Sequence, residues 1–191
     1  YRKLVKEIII GKGITEIADF AFEDYENLEQ IVISDSVSKI PSLAFLGKEE
    51  YDSFGCPKLS SIIVDKNNQY YKSIDGVLFT FDMKTLLKYP QAKPDLYYEV
   101  DARVSNIGDH AFSRVNKLQC LKVGENCRSV GEFAFLNISS LRHMYFASSV
   151  TKWPSYFPFI EQVGFDKPYR LTGIVIKKKK NSTIHKLCNK N

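Results

Sequence analysis

Of the side chains able to do chemistry, histidine is the scarcest, with three in 191 residues. No H-x-x-x-H pair or His-rich cluster offers metal ligands at a usable spacing, so a metal site is not expected. His110 shares a repeat column with Phe20, Leu43, Phe133 and Tyr156, which marks it as a packed ring. The run Asp65-Lys66-Asn67-Asn68-Gln69 alternates oxygen-bearing side chains. It lacks the glycine and the later bidentate glutamate of an EF-hand loop, so it reads as a turn. Gly11-Lys12-Gly13 lacks the upstream glycine of a phosphate-binding loop, and no G-x-S-x-G nucleophile elbow occurs. Glu49 and Glu50 sit side by side in a polar stretch with no sign of an enclosed site. These residues form no catalytic constellation. The expectation is a protein that is not an enzyme and carries no cofactor.

The four cysteines, Cys56, Cys120, Cys127 and Cys188, form no C-x-x-C pair, which disfavours a zinc ribbon or a thioredoxin-like motif. They are few for a disulfide-built scaffold, and free thiols are the favoured expectation. The net charge of +5 is unevenly placed: residues 167–191 hold eight Lys or Arg and no acid, leaving −3 for residues 1–166. Lys177 to Lys180 suit an anionic surface, but without interleaved aromatics they are no specific nucleic-acid signal. The tail reads as a solvated basic terminus. Asn137-Ile138-Ser139 and Asn181-Ser182-Thr183 fit the glycosylation acceptor pattern. No stretch approaches the ~20 apolar residues that span a bilayer, and no export signal stands at the start of the chain.

What positions any functional residue here is a repeat. ITEIADFAF at 14–22 returns as VSKIPSLAF at 37–45, VSNIGDHAF at 104–112 and CRSVGEFAF at 127–135, with a worn copy, VTKWPSYFP, at 150–158. Phe22 to Phe45 and Phe112 to Phe135 are both 23 residues apart, and a fixed period of this length signals stacked coils. Before each copy comes an apolar-x-x-apolar-x-apolar run: Val5-Ile8-Ile10, Leu28-Ile31-Ile33, Leu59-Ile62-Val64, Leu118-Leu121-Val123 and Leu141-Met144-Phe146. Tyr98 and Val100 give a partial copy, and Ile160-Val163-Phe165 a final one. The alternation at the end of each run suits a short strand with one buried face. Six or seven such units would stack into a parallel sheet, each coil burying what its neighbour cannot.

Two insertions interrupt the count. GKEEYDSF at 47–54 reads as a polar loop, and SIDGVLFTFDMKTLLKYP at 73–90 reads as a β-hairpin that projects from the solenoid. The domain division expected is a solenoid over 1–170 and a C-terminal cap or basic tail over 171–191, with a last strand at 173–176.

The V-x-x-I-x-x-x-A-F phrase, the 23-residue period, the DGVLFTFDMKTLLKYP segment and Cys56 before the next leucine together resemble the BspA-like leucine-rich repeat family of bacterial and protist surfaces. The resemblance spans about residues 4–165. It implies a right-handed, β-rich leucine-rich repeat solenoid with short helical or 3-10 turns and a parallel sheet on one face. It further implies an extracellular or cell-surface protein, matured by loss of an export signal, with a non-catalytic role in recognition or adhesion. Trp153, Pro154 and Pro158 depart from the pattern in the last copy.

In such a solenoid the outward side chains of the strands are the default binding surface. Counting from the first apolar position, positions 2, 3 and 5 point out. Candidates on this face are Glu29, Gln30, Tyr97, Glu99, Lys122, Arg142, His143 and Tyr145, with Tyr and Arg as natural anchors. The expected partner is a host or matrix protein or a glycan. The plainer alternatives are an ordinary solvated β-face and a structural spacer within a larger surface protein.

Overall fold

The computed structural model describes residues 1–47, 55–147 and 149–155, and the backbone of 174–176. The chain is a stack of coils. Each coil contributes a strand to one face, turns through a second short strand or bridge, and returns through the Ala-Phe corner. The strands are β1 (Glu7–Ile10), β2 (Gln30–Ile33), β3 (Ser61–Val64), β4 (Tyr71–Ile74), β5 (Val77–Thr80), β6 (Thr85–Lys88), β7 (Tyr97–Glu99), β8 (Asn106–Ile107), β9 (Cys120–Val123), β10 (Ser129–Val130), β11 (His143–Phe146) and β12 (Ile174–Ile176).

The strand face is two sheets rather than one. β1, β2 and β3 pair in parallel, as do β7, β9, β11 and β12. The register carries the repeat, with Ile8 beside Ile31 and Ile31 beside Ile62. The second position of each strand therefore stacks on its counterpart. Ile31, Ile62, Leu121 and Met144 are fully buried, as inward alternation requires. The partial run at Tyr98 does form a strand, and so does Ile174–Ile176. Residues 48–54 of the polar loop expected at 47–54, the run at Ile160 and most of the 171–191 tail lie outside the described residues.

The Ala-Phe phrase builds the opposite corner. Phe22 stacks on Phe45 at 5.4 Å between ring centroids, and Phe112 on Phe135 at 5.5 Å. Two residues per corner adopt left-handed backbone: Phe20 and Asp24, His110 and Arg114, Phe133 and Asn137. A non-glycine residue in this region carries a cost of about 1–3 kcal/mol. Its recurrence at the same two steps makes it a property of the turn, offset by hydrogen bonds between coils. The amides of His110, Phe112 and Arg114 donate to the carbonyls of Glu132, Ala134 and Leu136 at 3.0, 2.8 and 2.8 Å. The second copy differs because Pro41, with φ of −72°, starts a 3-10 turn over Ser42–Phe45.

Carboxylates tie one corner to the next. Asp109 Oδ1 accepts the amide of Glu132 at 2.8 Å, and Glu132 Oε1 accepts that of Ser155 at 2.9 Å. Gly131 admits the close approach this needs, since a Cβ there would lie 2.4 Å from Asp109 Oδ1 and 2.5 Å from its amide nitrogen. Asp65 and Asn68 also serve the backbone. Asp65 Oδ1 accepts from Asn67 N. Asn68, 1% exposed, donates to the carbonyls of Ser34 and Val37 and accepts from the amides of Tyr70 and Tyr71, all within 2.9 Å.

The hairpin forms as expected, β5 against β6 with residues 81–84 as its loop. It does not project. Val77, Leu78, Phe79 and Leu86 are at most 1% exposed. Val77 and Phe79 belong to the core that runs on to Val150, while Leu78 belongs to the core of the first coils. β5 is a wall with one hydrophobic core on each side. β6 then pairs in parallel with β8, and Tyr89 stacks on Phe112 at 5.2 Å, taking the Phe position of its coil. The turn at Asp75-Gly76 fills the place of the missing strand beside β3: Ile62 N donates to Gly76 O at 3.0 Å.

The expectation of free thiols is corrected at one position. Cys120 is disulfide-bonded, whereas Cys56 and Cys127 are free and buried. Spacing along the chain does not disclose which sulfurs meet in space. Burial pushes the Cys56 thiol up to about 12, so it is no nucleophile at neutral pH.

Candidate functional site

Strand alternation and the register of the two sheets place the candidate side chains. On the first sheet, Glu29 is exposed and pairs with Lys6 at 3.2 Å. Gln30 Nε2 donates to Glu7 Oε1 at 2.7 Å. Both bonds run between adjacent coils, 23 residues apart in sequence. The flanking outward row is apolar: Ile9, Val32 and Ile63 lie in register, with Ile9 67% and Ile63 42% exposed.

On the second sheet, Tyr97, Cys120 and His143 lie in register, as do Glu99, Lys122 and Tyr145. Tyr97 Oη donates to Glu99 Oε2 at 2.9 Å, and Glu99 Oε1 meets Lys122 Nζ at 2.6 Å. Burial, followed by the hydrogen bond to and the negative charge of Glu99, raises the Tyr97 phenol to about 12. Arg142 is exposed and His143 half-buried. Tyr97, Glu99, Lys122 and His143 therefore share one sheet, with Arg142 just before its strand β11. Gln30 lies on the other, with Glu29 just before β2, across the hairpin wall.

Two outward positions are corrected. Tyr145 is 6% exposed and Cys120 1%, so neither offers a side chain to solvent. Tyr145 lies in backbone register between Lys122 and Val175 of β12, an internal position where a large ring is covered. Ile14, one period before the fully buried Val37, is 49% exposed. His110 meets expectation, stacking on Phe133 at 5.3 Å and 17°.

The most unusual polar residue was not flagged by sequence. Lys88, 1% exposed, sends its ammonium to the carbonyls of His110 and Ser113 at 3.2 and 3.4 Å. Burial above all, with the Arg114 charge adding to it against an opposing effect of Cys56, lowers it to about 8. Its signal was a lysine in an otherwise apolar strand end, TLLKYP. Nearby, Tyr89 Oη donates to Asp95 at 3.1 Å, and Lys93 holds the same carboxylate at 2.8 Å. Burial, then the Asp95 charge, raises the Tyr89 phenol beyond the usual range. No group of three or more His, Cys, Asp or Glu able to hold a metal ion occurs among the described residues. No helix among them is long and apolar enough to cross a membrane.

A BspA type leucine rich repeat region matches residues 1–89 and 97–158, in six copies. No curated protein matches the chain. A leucine-rich repeat protein from Eubacterium ventriosum superposes with a TM-score of 0.69 at 22% identity, over 78% of this chain and 38% of that one. The pneumococcal vaccine antigen PcpA gives 0.58 at 19% identity, over 78% and 47%. A leucine rich cell surface protein from Faecalibacterium prausnitzii gives 0.54 at 18% identity, over 83% and 62%. The chain thus spans between 38% and 62% of the length of these structures. At these identities the likeness concerns the fold.

Proposed function

The chain belongs to the BspA-type leucine-rich repeat family, and from that premise we propose that it is a non-catalytic recognition module of a cell surface, binding an extracellular protein or glycan through the outward face of β7, β9 and β11. One observation carries the reading. Tyr97, Glu99, Lys122 and His143 sit on three adjacent paired strands, with Arg142 one residue before the third, so a rigid scaffold fixes the polar set at strand spacing. Rigid polar and aromatic groups lose little entropy on binding. That one structural neighbour is named a cell surface protein supports the location.

The test is binding of the purified chain to arrays of glycans and matrix proteins. Lys122→Ala with Arg142→Ala should weaken capture at least about tenfold, the scale of one or two interface anchors. The Lys122–Glu99 pair is a surface pair worth at most about 1 kcal/mol, so the variant stays folded. Undiminished capture by the folded variant would sink the assignment of this face. A spacer role is favoured by a different observation: Glu29, Gln30, Tyr97 and Glu99 all engage neighbouring side chains. Arrays that stay empty would support it.

A further inference from the structure

The rim where the strands of the second sheet begin carries unmatched positive charge. Leu96, Gln119 and Arg142 follow one another across three coils, tied by backbone bonds from Gln119 N to Leu96 O at 2.9 Å and from Arg142 N to Gln119 O at 2.8 Å. Leu96 is 58% exposed, Gln119 half-buried and Arg142 exposed. Lys117, two residues before Gln119, is exposed at the same rim. The segments 110–124 and 133–155, which hold β9 and β11, contain no Asp or Glu. The acids contributed by the β7 coil are already matched. Asp95 holds Lys93 at 2.8 Å and the Tyr89 hydroxyl at 3.1 Å, and Glu99 holds Lys122 at 2.6 Å and the Tyr97 hydroxyl at 2.9 Å. The side chains of Lys117 and Arg142, by contrast, make no hydrogen bond or ion pair with any described residue.

We propose that this rim binds an anionic polysaccharide, with Arg142 and Lys117 receiving its sulfate or carboxylate groups and Gln119 and His143 its hydroxyls. The assignment rests on the recognition face proposed above and names the chemistry of its ligand. A guanidinium presents a planar fork of donors that fits an oxyanion with two parallel bonds, and the Arg142 fork is exposed with no carboxylate of its own. Protein partners are held mainly by aromatic or aliphatic anchors seated in apolar pockets. The neighbours here are instead an amide and an imidazole, each able to donate and accept, which suits hydroxyls. The coils repeat these groups along one line at the strand spacing of about 4.8 Å, a geometry suited to a polymer of like units.

The probes are dextran sulfate, hyaluronan and plain dextran, which offer sulfate, carboxylate and no anion. Every protein tested is the full chain with Lys177→Gln, Lys178→Gln, Lys179→Gln and Lys180→Gln, because that run would hold any polyanion. At about 0.15 M salt, surface capture should occur on one or both charged polymers and not on dextran, and the polymer held identifies the anion. Lys117→Gln with Arg142→Gln should weaken capture at least about tenfold. Both side chains are exposed, so circular dichroism should be unchanged. No capture of either charged polymer, equal capture of dextran, or capture indifferent to the double substitution would overturn the inference. A protein or neutral glycan captured on arrays and lost with Lys122→Ala and Arg142→Ala would also overturn it, while leaving the recognition face standing.

Discussion

The buried Lys88 should contribute stability that rises with pH, opposite in sign to the buried phenols and thiols. Lys88 is folded away with its proton held near 8 against an ordinary 10.5. Between those values the unfolded chain binds a proton that the native state has shed. Stability therefore increases with pH across that window, and the gain is absent below about 8. At 1.36 kcal/mol per pKa unit, a displacement of roughly 2.5 units sets a ceiling of about 3 kcal/mol. Between pH of about 7 and 10, about 2–3 kcal/mol of it should be seen.

Other groups oppose the trend. The Tyr89 and Tyr98 phenols are raised chiefly by burial, and the Cys56 thiol to about 12. The unfolded chain releases their protons first, which destabilises the native state as pH climbs. The measurement is therefore a difference. Urea unfolding free energies of wild type and Lys88→Met, taken at about pH 7 and 10, should diverge by about 2–3 kcal/mol in favour of the wild type on going alkaline. Both proteins share the phenols and the thiol, so these largely cancel. A difference that stays flat across the window would refute the claim that Lys88 is charged at neutral pH in a desolvated site.

Two further outcomes test the joints between coils. Asn68→Ala removes four hydrogen bonds between a buried amide and backbone of two coils, and chemical unfolding should report a loss of roughly 3 kcal/mol. Gly131→Ala drives a methyl into Asp109 and the cap it makes on Glu132. A loss of about 1–3 kcal/mol should lower the melting temperature by roughly 3–10 °C, and an unchanged melt would mean the corner adapts freely.

The period, the strands and the stacked phenylalanines were legible because one face of every coil repeats the same buried pattern. The hairpin was located by the change in count, but its placement was misread. An interrupted period says that residues were added, not whether they stand outside or inside. The better signal was Val77-Leu78-Phe79, an apolar run without alternation, which marks a strand covered on both faces. The candidate face was legible in direction only. Alternation says which way Tyr145 and Cys120 point, and nothing about whether that side is covered. Lys88 escaped notice because lysines usually sit on a solvated face. Only the fold shows the two carbonyls that receive it.

The partition by β5 also bears on how such a chain can change length. Within each half, corner hydrogen bonds join residues 22 to 24 apart, as Phe22 to Ala44 and Arg114 to Leu136 do. Between elements so joined a gain or loss fits best in whole coils; the eight extra residues between β2 and β3 are the exception, and they leave Ile31 beside Ile62. At the hairpin the two cores meet across a wall instead of a shared ladder, and the count is already broken. That wall works as an expansion joint. Unequal numbers of coils can be added on either side of it without either stack having to match the other's phase.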